Sequence, residues 1–314
     1  MSNILITGAS GFLGSNLARK LVKSKNQISV MYRKQSNLWR IRDIIPNLDS
    51  YIVNLDNLSL LKQEIKKIKP DIVYHFATYG FHPLQKNINT MIKTNIIGTI
   101  NLIRTLSEND QIDKFVNMGS FFEYGPKTNA IKENQCPNPI SPYSITKVAQ
   151  TQFAKYFSIK NNFPIVTLRL FYPYGMYEQS GRLVSDIMIA AVQQKTLHLT
   201  SPNSRRDFIF VNDVINALLN ATKTPKINGE IFNIGSGKEY SIGEIVNLVQ
   251  KIIHHDLKIS YDNKKQREFD KRGGKGFANL EKTKKTLHWK PTYSIKQGLS
   301  KTYNWYKKHI ELYK

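Results

Sequence analysis

The chain has 314 residues, enough for one large or two smaller domains around a sizeable core. No run of about 18 apolar residues marks a membrane span, and the single cysteine, Cys136, excludes an internal disulfide. Lys and Arg number 46 against 23 Asp and Glu, a formal net charge of +23. The lysines are spread through every segment, so the excess reads as composition rather than as a nucleic-acid surface.

Residues 3–7 read as a short buried strand ended by glycine. The chain enters this strand without a basic start, apolar stretch and small-residue cleavage site. With the lone cysteine, that makes a cytoplasmic location the expectation. Gly8-Ala-Ser-Gly11-Phe-Leu-Gly14 follows, then helical spacing at Leu13, Leu17, Leu21 and Val22. A strand, three glycines and a helix form the setting that cradles a dinucleotide pyrophosphate. Gly8 permits the tight turn, Gly11 lets the backbone approach the ligand, and Gly14 lets helix and strand pack closely. The helix N-terminus adds free N–H groups and partial positive charge.

A second strand, Gln27–Tyr32, is expected to end at the adenosine ribose. An acidic residue there would bind the 2′-hydroxyl of NAD. The sequence has Tyr32, Arg33, Lys34 and Ser36 instead, with Arg40 further on, which points to NADP(H), with NAD(H) possible; as plain surface charges, Arg33 and Lys34 would carry no such preference. A third strand is expected at 50–54, a helix at 59–69 and a fourth strand at 71–77. His75 lies inside that last run and reads as a packed, hydrogen-bonded core histidine. A helix at 88–106 and a fifth strand, 114–118, end at Gly119-Ser120. Helices alternate with strands throughout, which predicts a Rossmann-like, doubly wound parallel sheet with ligand at the strand C-termini.

Tyr143 and Lys147 open a helix expected over 145–159. Four apart, they share one helix face. A nearby cation favours a phenolate, so the pair can exchange a proton with a substrate hydroxyl or carbonyl near neutral pH. Ser120, at a strand C-terminus, can donate to the same oxygen. A strand at 165–171 follows, after which the alternation loosens. The second half offers a turn at 172–175, helices at 183–193 and 242–253, and strands at 207–211 and 230–234. Residues 262–277 are charged and glycine-rich. Arg182, Arg206, Arg267 and Lys275 are candidates to face a diphosphate, because arginine forks suit phosphate oxygens. A dinucleotide-binding domain over 1–170 and a smaller mixed α/β substrate domain over 171–314 are expected, with 207–235 packing back on the first. No Cys/His cluster suggests a metal.

With these residues in place, the chain resembles the extended short-chain dehydrogenase/reductases, and within them the nucleotide-sugar epimerase/dehydratase family. Thr7-Gly-Ala-Ser-Gly-Phe-Leu-Gly14, Asp71-Ile-Val-Tyr-His-Phe-Ala77, Asn95-Ile-Ile-Gly-Thr99 and Pro139-Ile-Ser-Pro-Tyr-Ser-Ile-Thr-Lys147 look like its motifs. Leu168-Arg-Leu-Phe-Tyr-Pro-Tyr-Gly175, Arg205-Arg-Asp-Phe-Ile-Phe-Val-Asn-Asp-Val214, Phe232-Asn-Ile-Gly-Ser-Gly237 and Leu287-His-Trp-Lys-Pro291 continue in the family's order. The resemblance makes Tyr143 the proton-transfer residue. Lys147 would bind the nicotinamide ribose and lower the tyrosine pKa, and Ser120 would polarise the reacting C–O bond. Cofactor contacts are expected at Gly8, Ser10, Gly11, Phe12, Leu13, Gly14, Arg33, Ser36, Asn54, Leu55, Ala77, Asn95 and Lys147. Asn54 stands where an aspartate usually meets the adenine. Substrate contacts fall at Phe121, Tyr172, Arg182, Arg206 and Arg267, with Arg206 on the diphosphate, and a homodimer through the helices 88–106 and 145–159 is implied.

Departures from the family select the reaction. The dehydratases' Asp-Glu pair is Phe121-Phe122 here, which cannot shuttle protons, and an asparagine of the 4-epimerases is Tyr172. With the basic stretch after the second strand, this favours NADPH-dependent reduction of a nucleotide-linked 4-keto-6-deoxyhexose. The alternative is an NAD-dependent nucleotide-sugar 4-epimerase; a non-catalytic nucleic-acid-binding protein on the same fold is more remote. For the reductase, Tyr143→Phe is expected to remove most turnover of a 4-keto sugar while leaving NADPH affinity nearly unchanged, as read by steady-state kinetics beside cofactor titration.

Overall fold

The computed structural model describes residues 1–108, 112–262 and 276–313. Its contacts divide the chain into two compact units. The first comprises Met1–Glu123, Pro139–Arg169 and Leu218–Phe232; the second comprises Tyr124–Asn138, Leu170–Ala217 and Asn233–Lys314.

The first unit is built on strands β1 (Asn3–Thr7), β2 (Gln27–Tyr32), β3 (Asp49–Ile52), β4 (Ile72–His75), β5 (Lys114–Ser120) and β6 (Ile165–Leu170). With a later strand, Ile231–Ile234, on the far side of β6, the sheet runs Ile231–Ile234, β6, β5, β4, β1, β2, β3. Strand β1 pairs in parallel with both β2 and β4, and β2–β3 and β4–β5 are parallel too. The strand order therefore reverses at β1, the switch point where open α/β sheets bind ligands. All seven residues of β5 are buried, as expected of a strand covered on both faces.

Helices α1 (Phe12–Leu21) and α2 (Leu58–Ile68) cover the sheet, burying Leu17, Ala18 and Leu21 and Leu61, Ile65 and Ile68. The second begins a residue before its expected start, because Asn57 caps it by accepting from Leu60 N–H at 3.1 Å. The stretch expected as one helix over 88–106 is compound. It comprises α3 (Ile88–Met91), a π-helical segment Ile92–Ile97, and α4 (Gly98–Ser107). Periodicity does not reveal such an insertion, since the apolar spacing on either side is undisturbed. Helix α5 runs Pro142–Asn161, longer than expected at both ends. Ser141 and Ser144 exchange side-chain and backbone bonds in a capping box, and Pro142 occupies the first turn. Tyr143 is thus fixed in the first turn of α5. Leu5, Val73, Phe115, Ile65, Leu102, Leu106 and Ala154 meet in one apolar core.

The second unit carries helix α6 (Leu183–Gln193), and α7 (Val211–Lys223) leads from it back to the strand Ile231–Ile234. Helix α8 (Ile242–Ile253) follows; α6 and α8 both keep their expected spans. The helices Glu281–Leu287 and Ile295–His309 close the chain. The expected turn at 172–175 contains a short strand, Tyr172–Tyr174, because it pairs in parallel with Phe208–Phe210. Two further short pairs, Leu197–Leu199 with Ile259–Tyr261 and Arg205–Arg206 with Tyr240–Ser241, have no periodicity long enough to read.

Asp207 organises this unit. Its buried carboxylate accepts from Ser236 N–H and Oγ–H at 2.6 Å each, Gly237 N–H at 3.1 Å and Ala278 N–H at 2.9 Å. Burial pushes its pKa up to about 6 against the opposing effect of these bonds. Asp207→Ala is expected to destabilise the protein by on the order of 3 kcal/mol, since buried donors lose their acceptor. Thermal and urea denaturation would show it, and an unchanged midpoint would deny Asp207 this role.

Candidate active site

The glycine turn brings backbone against backbone. Gly8 has φ +69°, and a Cβ there would lie 2.7 Å from Ala77 N and Phe76 C. At Gly14 a Cβ would meet Gly8 O at 2.5 Å. Gly11 begins α1 with no side chain to cap it, so the first-turn N–H groups at Phe12, Leu13 and Gly14 face no competing side-chain acceptor. A dinucleotide phosphate fits that set of donors.

After β2, Ser36 Oγ accepts Arg33 N–H at 3.1 Å, while Ser36 N–H donates to Arg33 O at 2.9 Å. This tight turn leaves Arg33 half-buried and Lys34 exposed. Arg40 reaches the glycine turn, donating from Nη1 to Ser10 O at 3.3 Å, with its guanidinium 4.3 Å above the Trp39 ring. Asn54 is exposed, whereas Leu55 is buried at the Cβ position that Gly98 lacks.

Strand β5 delivers Ser120, buried, with Oγ accepting Phe122 N–H at 3.3 Å. Tyr143 is half-buried; the Phe81 ring stands 5.7 Å away, and Phe122 stands edge-on at 6.3 Å. Phe121, expected at the substrate, is 2% exposed and packs against Phe122. Lys147 is buried and donates to Met118 O and to Gln150 Oε1. Burial lowers its pKa to about 8, while the negative charge of Glu123 opposes the shift. Gln150 continues to Asn117 Oδ1 at 2.7 Å, and Asn117 to Thr167 Oγ1 at 3.1 Å.

A second chain of bonds ties the glycine turn to α5. Thr7 Oγ1 meets His75 Nδ1 at 2.7 Å, and His75 Nε2 meets Thr99 Oγ1 at 2.8 Å. Thr99 donates to Asn95 O at 2.8 Å, Asn95 Nδ2 donates to Thr146 Oγ1 at 2.9 Å, and Thr146 donates to Tyr143 O at 2.8 Å. His75 is therefore a hydrogen-bonded core residue, kept neutral because burial, then the charge of Lys147, lowers its pKa to about 3. Asn95 sits in the π-helical segment, which also lets it bond Tyr79 N–H and O. Its side chain thus bonds the loop after β4 as well as Thr146.

The remaining candidates lie in the second unit. Arg206 is buried, with its guanidinium 5.0 Å from the Tyr172 ring centroid, so two expected substrate residues stack. Arg182 is also buried, its Nε 3.9 Å from Glu178 Oε1. Arg267 and Lys275 lie outside the described residues. Among the described residues no group of three or more His, Cys, Asp or Glu could hold a metal, and no helix is long and apolar enough to cross a membrane. Sequence reasoning missed Glu123 and Arg169, which form a buried ion pair at 2.8 Å beside Ser120. The available signal was a charge inside each of two apolar runs.

The model of the family described as "NAD dependent epimerase/dehydratase family" matches residues 4–235. The chain is 26% identical to a UDP-glucuronate 4-epimerase of Thermodesulfobacterium geofontis, covering 100% of this chain and 99% of that protein. It is 25% identical to a GDP-6-deoxy-D-mannose reductase of Pseudomonas aeruginosa over 94% of each. A UDP-glucuronic acid 4-epimerase of Bacillus cereus, solved in complex with UDP-glucuronic acid and NAD, superposes with a TM-score of 0.85 at 25% identity, covering 97% of this chain and 99% of that one.

Lys147 should titrate near 8, well below an exposed lysine. Its folded pKa lies below the unfolded value of 10.5. The unfolded state therefore holds more protons between the two, and its contribution to stability rises with pH across that window. Carbon NMR of the lysine Cε groups, assigned with Lys147→Met, reads the midpoint; titration with the exposed lysines would refute it. Gly14→Ala is expected to remove dinucleotide binding by calorimetry, because its Cβ meets backbone.

Proposed function

The chain belongs to the NAD-dependent epimerase/dehydratase family, and we propose that within it this protein is a nucleotide-sugar 4-epimerase that retains NAD. The observation behind the proton-transfer chemistry is that Ser120, Tyr143 and Lys147 lie in the same unit as the glycine turn. The two whole-length similarities to UDP-glucuronate 4-epimerases support epimerisation over the reduction favoured by sequence reasoning.

NAD, when bound, supplies the acceptor and donor for the hydride at sugar C4. Tyr143 takes the C4 hydroxyl proton and returns it once the ring presents its other face. Ser120 Oγ donates to the C4 oxygen, and the ammonium of Lys147 favours the phenolate. Phe121 and Phe122 have no titratable group with which to drive an elimination. Within the second unit, Arg206 stacked on Tyr172 is a held guanidinium of the kind that suits phosphate oxygens.

One specific observation favours a second reading, NADPH-dependent reduction of a 4-keto sugar. The turn after β2 offers Arg33 and Ser36 and no carboxylate. Purified protein extracted with perchloric acid separates the two. Stoichiometric NAD and interconversion of UDP-glucuronic acid with its C4 epimer support the epimerase. Cofactor-free protein that oxidises NADPH only with a 4-keto sugar supports the reductase.

We also propose a homodimer. Ile88, Ile92 and Ile97 on one helical stretch and Ile145, Phe153, Tyr156 and Ile159 on α5 are 38–68% exposed, a large apolar area for a free surface. Light scattering at micromolar concentration should give twice the 36.2 kDa chain mass, with Phe153→Asp shifting the protein towards monomer.

A further inference from the structure

The buried pair of Glu123 and Arg169 has no part in the proton transfer described above. Both side chains are at most 2% exposed, and Arg169 Nε lies 2.8 Å from Glu123 Oε2. Burying two charges is costly, and an apolar pair of similar volume is often as stable or more so. Stability alone therefore does not account for an ion pair at this point.

Its second bond suggests what does. Glu123 Oε1 accepts the backbone N–H of Ser120 at 2.7 Å. One carboxylate oxygen is thus held by the arginine and the other holds the residue that delivers the serine hydroxyl. The fit is close on all sides. A Cβ on Gly119 would lie 2.8 Å from Glu123 Oε1 and 3.0 Å from both Arg169 Cγ and Thr167 Cγ2. The carboxylate occupies the space that glycine leaves at the end of β5. From that position it folds the chain back on Ser120, whose Oγ also receives Phe122 N–H. The residue before Gly119, Met118, gives its carbonyl to Lys147. The same short turn therefore sets both the serine and the lysine.

We infer that Glu123, clamped by Arg169, is a positioning residue that fixes the Ser120 hydroxyl for its work on the sugar oxygen. This deepens the proton-transfer reading and rests on Ser120 acting there. A misplacement of about 1 Å at such a hydroxyl costs up to about a hundredfold in rate, whereas substrate affinity carried by other residues is little affected. The carboxylate itself is buried, with both oxygens engaged inside the protein, so it moves no proton to the sugar.

The test replaces the pair as a unit, Glu123→Leu/Arg169→Leu, so that no unpaired charge is left in the core. This variant is expected to melt somewhat lower, because the buried Ser120 N–H loses its acceptor, to keep its NAD affinity, to lose at least about tenfold in kcat with UDP-glucuronic acid, and to keep KM within about twofold. Glu123→Gln, which keeps an acceptor for Ser120 N–H, should recover much of the rate. In a Ser120→Ala background the pair replacement should cost much less kcat than in the wild type, because most of its effect passes through the missing hydroxyl and only the loss of Glu123's charge near Lys147 remains. Wild-type kcat in the Leu/Leu variant, or an equal further loss in the Ser120→Ala background, would overturn the inference. A readout free of turnover keeps it testable should the sugar reaction be misassigned. Hydrogen exchange at the Ser120 amide should be at least about tenfold faster in the Leu/Leu variant, and unchanged protection would also overturn it. Absence of any sugar turnover by the wild-type protein, with faster Ser120 exchange in the variant, would instead remove the proposed reaction and leave the clamp in place.

Discussion

A single ammonium group, that of Lys147, sits almost wholly out of water at the end of β5. A buried charge survives only when its donors are satisfied and some opposite charge is near. Met118 O and Gln150 Oε1 meet the first need, and Glu123 contributes to the second. Much of the polar structure between β5, β6 and α5 follows from it. Gln150 is held by Asn117, Asn117 holds Thr167, and Glu123 is itself held by Arg169. Helix α5 cannot rotate about its axis without breaking this set, so the direction of Tyr143 is tied to the placement of the charge.

The second polar chain serves the other end of the site. Thr7 immediately precedes the glycine turn, and its hydroxyl begins a path through His75, Thr99, Asn95 and Thr146 to the backbone of Tyr143. The path uses a neutral imidazole, which can donate from one nitrogen while accepting at the other. The π-helical segment matters here because it carries Asn95, whose amide bonds both Thr146 and the loop after β4. The fold thus ties the glycine turn to helix α5 through a continuous path of side-chain bonds.

The second unit solves a similar problem with an anion. Asp207 gathers four donors, and the neighbouring residue, Arg206, lies in a two-residue strand paired with Tyr240–Ser241 and stacks on Tyr172. An arginine so immobilised loses little freedom when it meets a phosphate oxygen. Neither partner of the stack is near the other in sequence.

Local chemistry makes much of this protein legible in its sequence alone. The glycine turn is readable because Gly8 and Gly14 answer to contacts with nearby backbone that any side chain would break. The start of α5 is readable because Ser141, Pro142 and Ser144 form a cap within four residues, and the pairing of Tyr143 with Lys147 follows from helical pitch. The sheet is readable because buried parallel strands are short apolar runs between helical repeats. Tertiary structure alone decided the partners of Lys147, the clamp of Glu123 on Ser120, the π-helical segment at Asn95 and the anchorage of Asp207. Each depends on groups brought together from distant segments, where the benefit of a hydrogen bond or buried charge exists only after folding has excluded water.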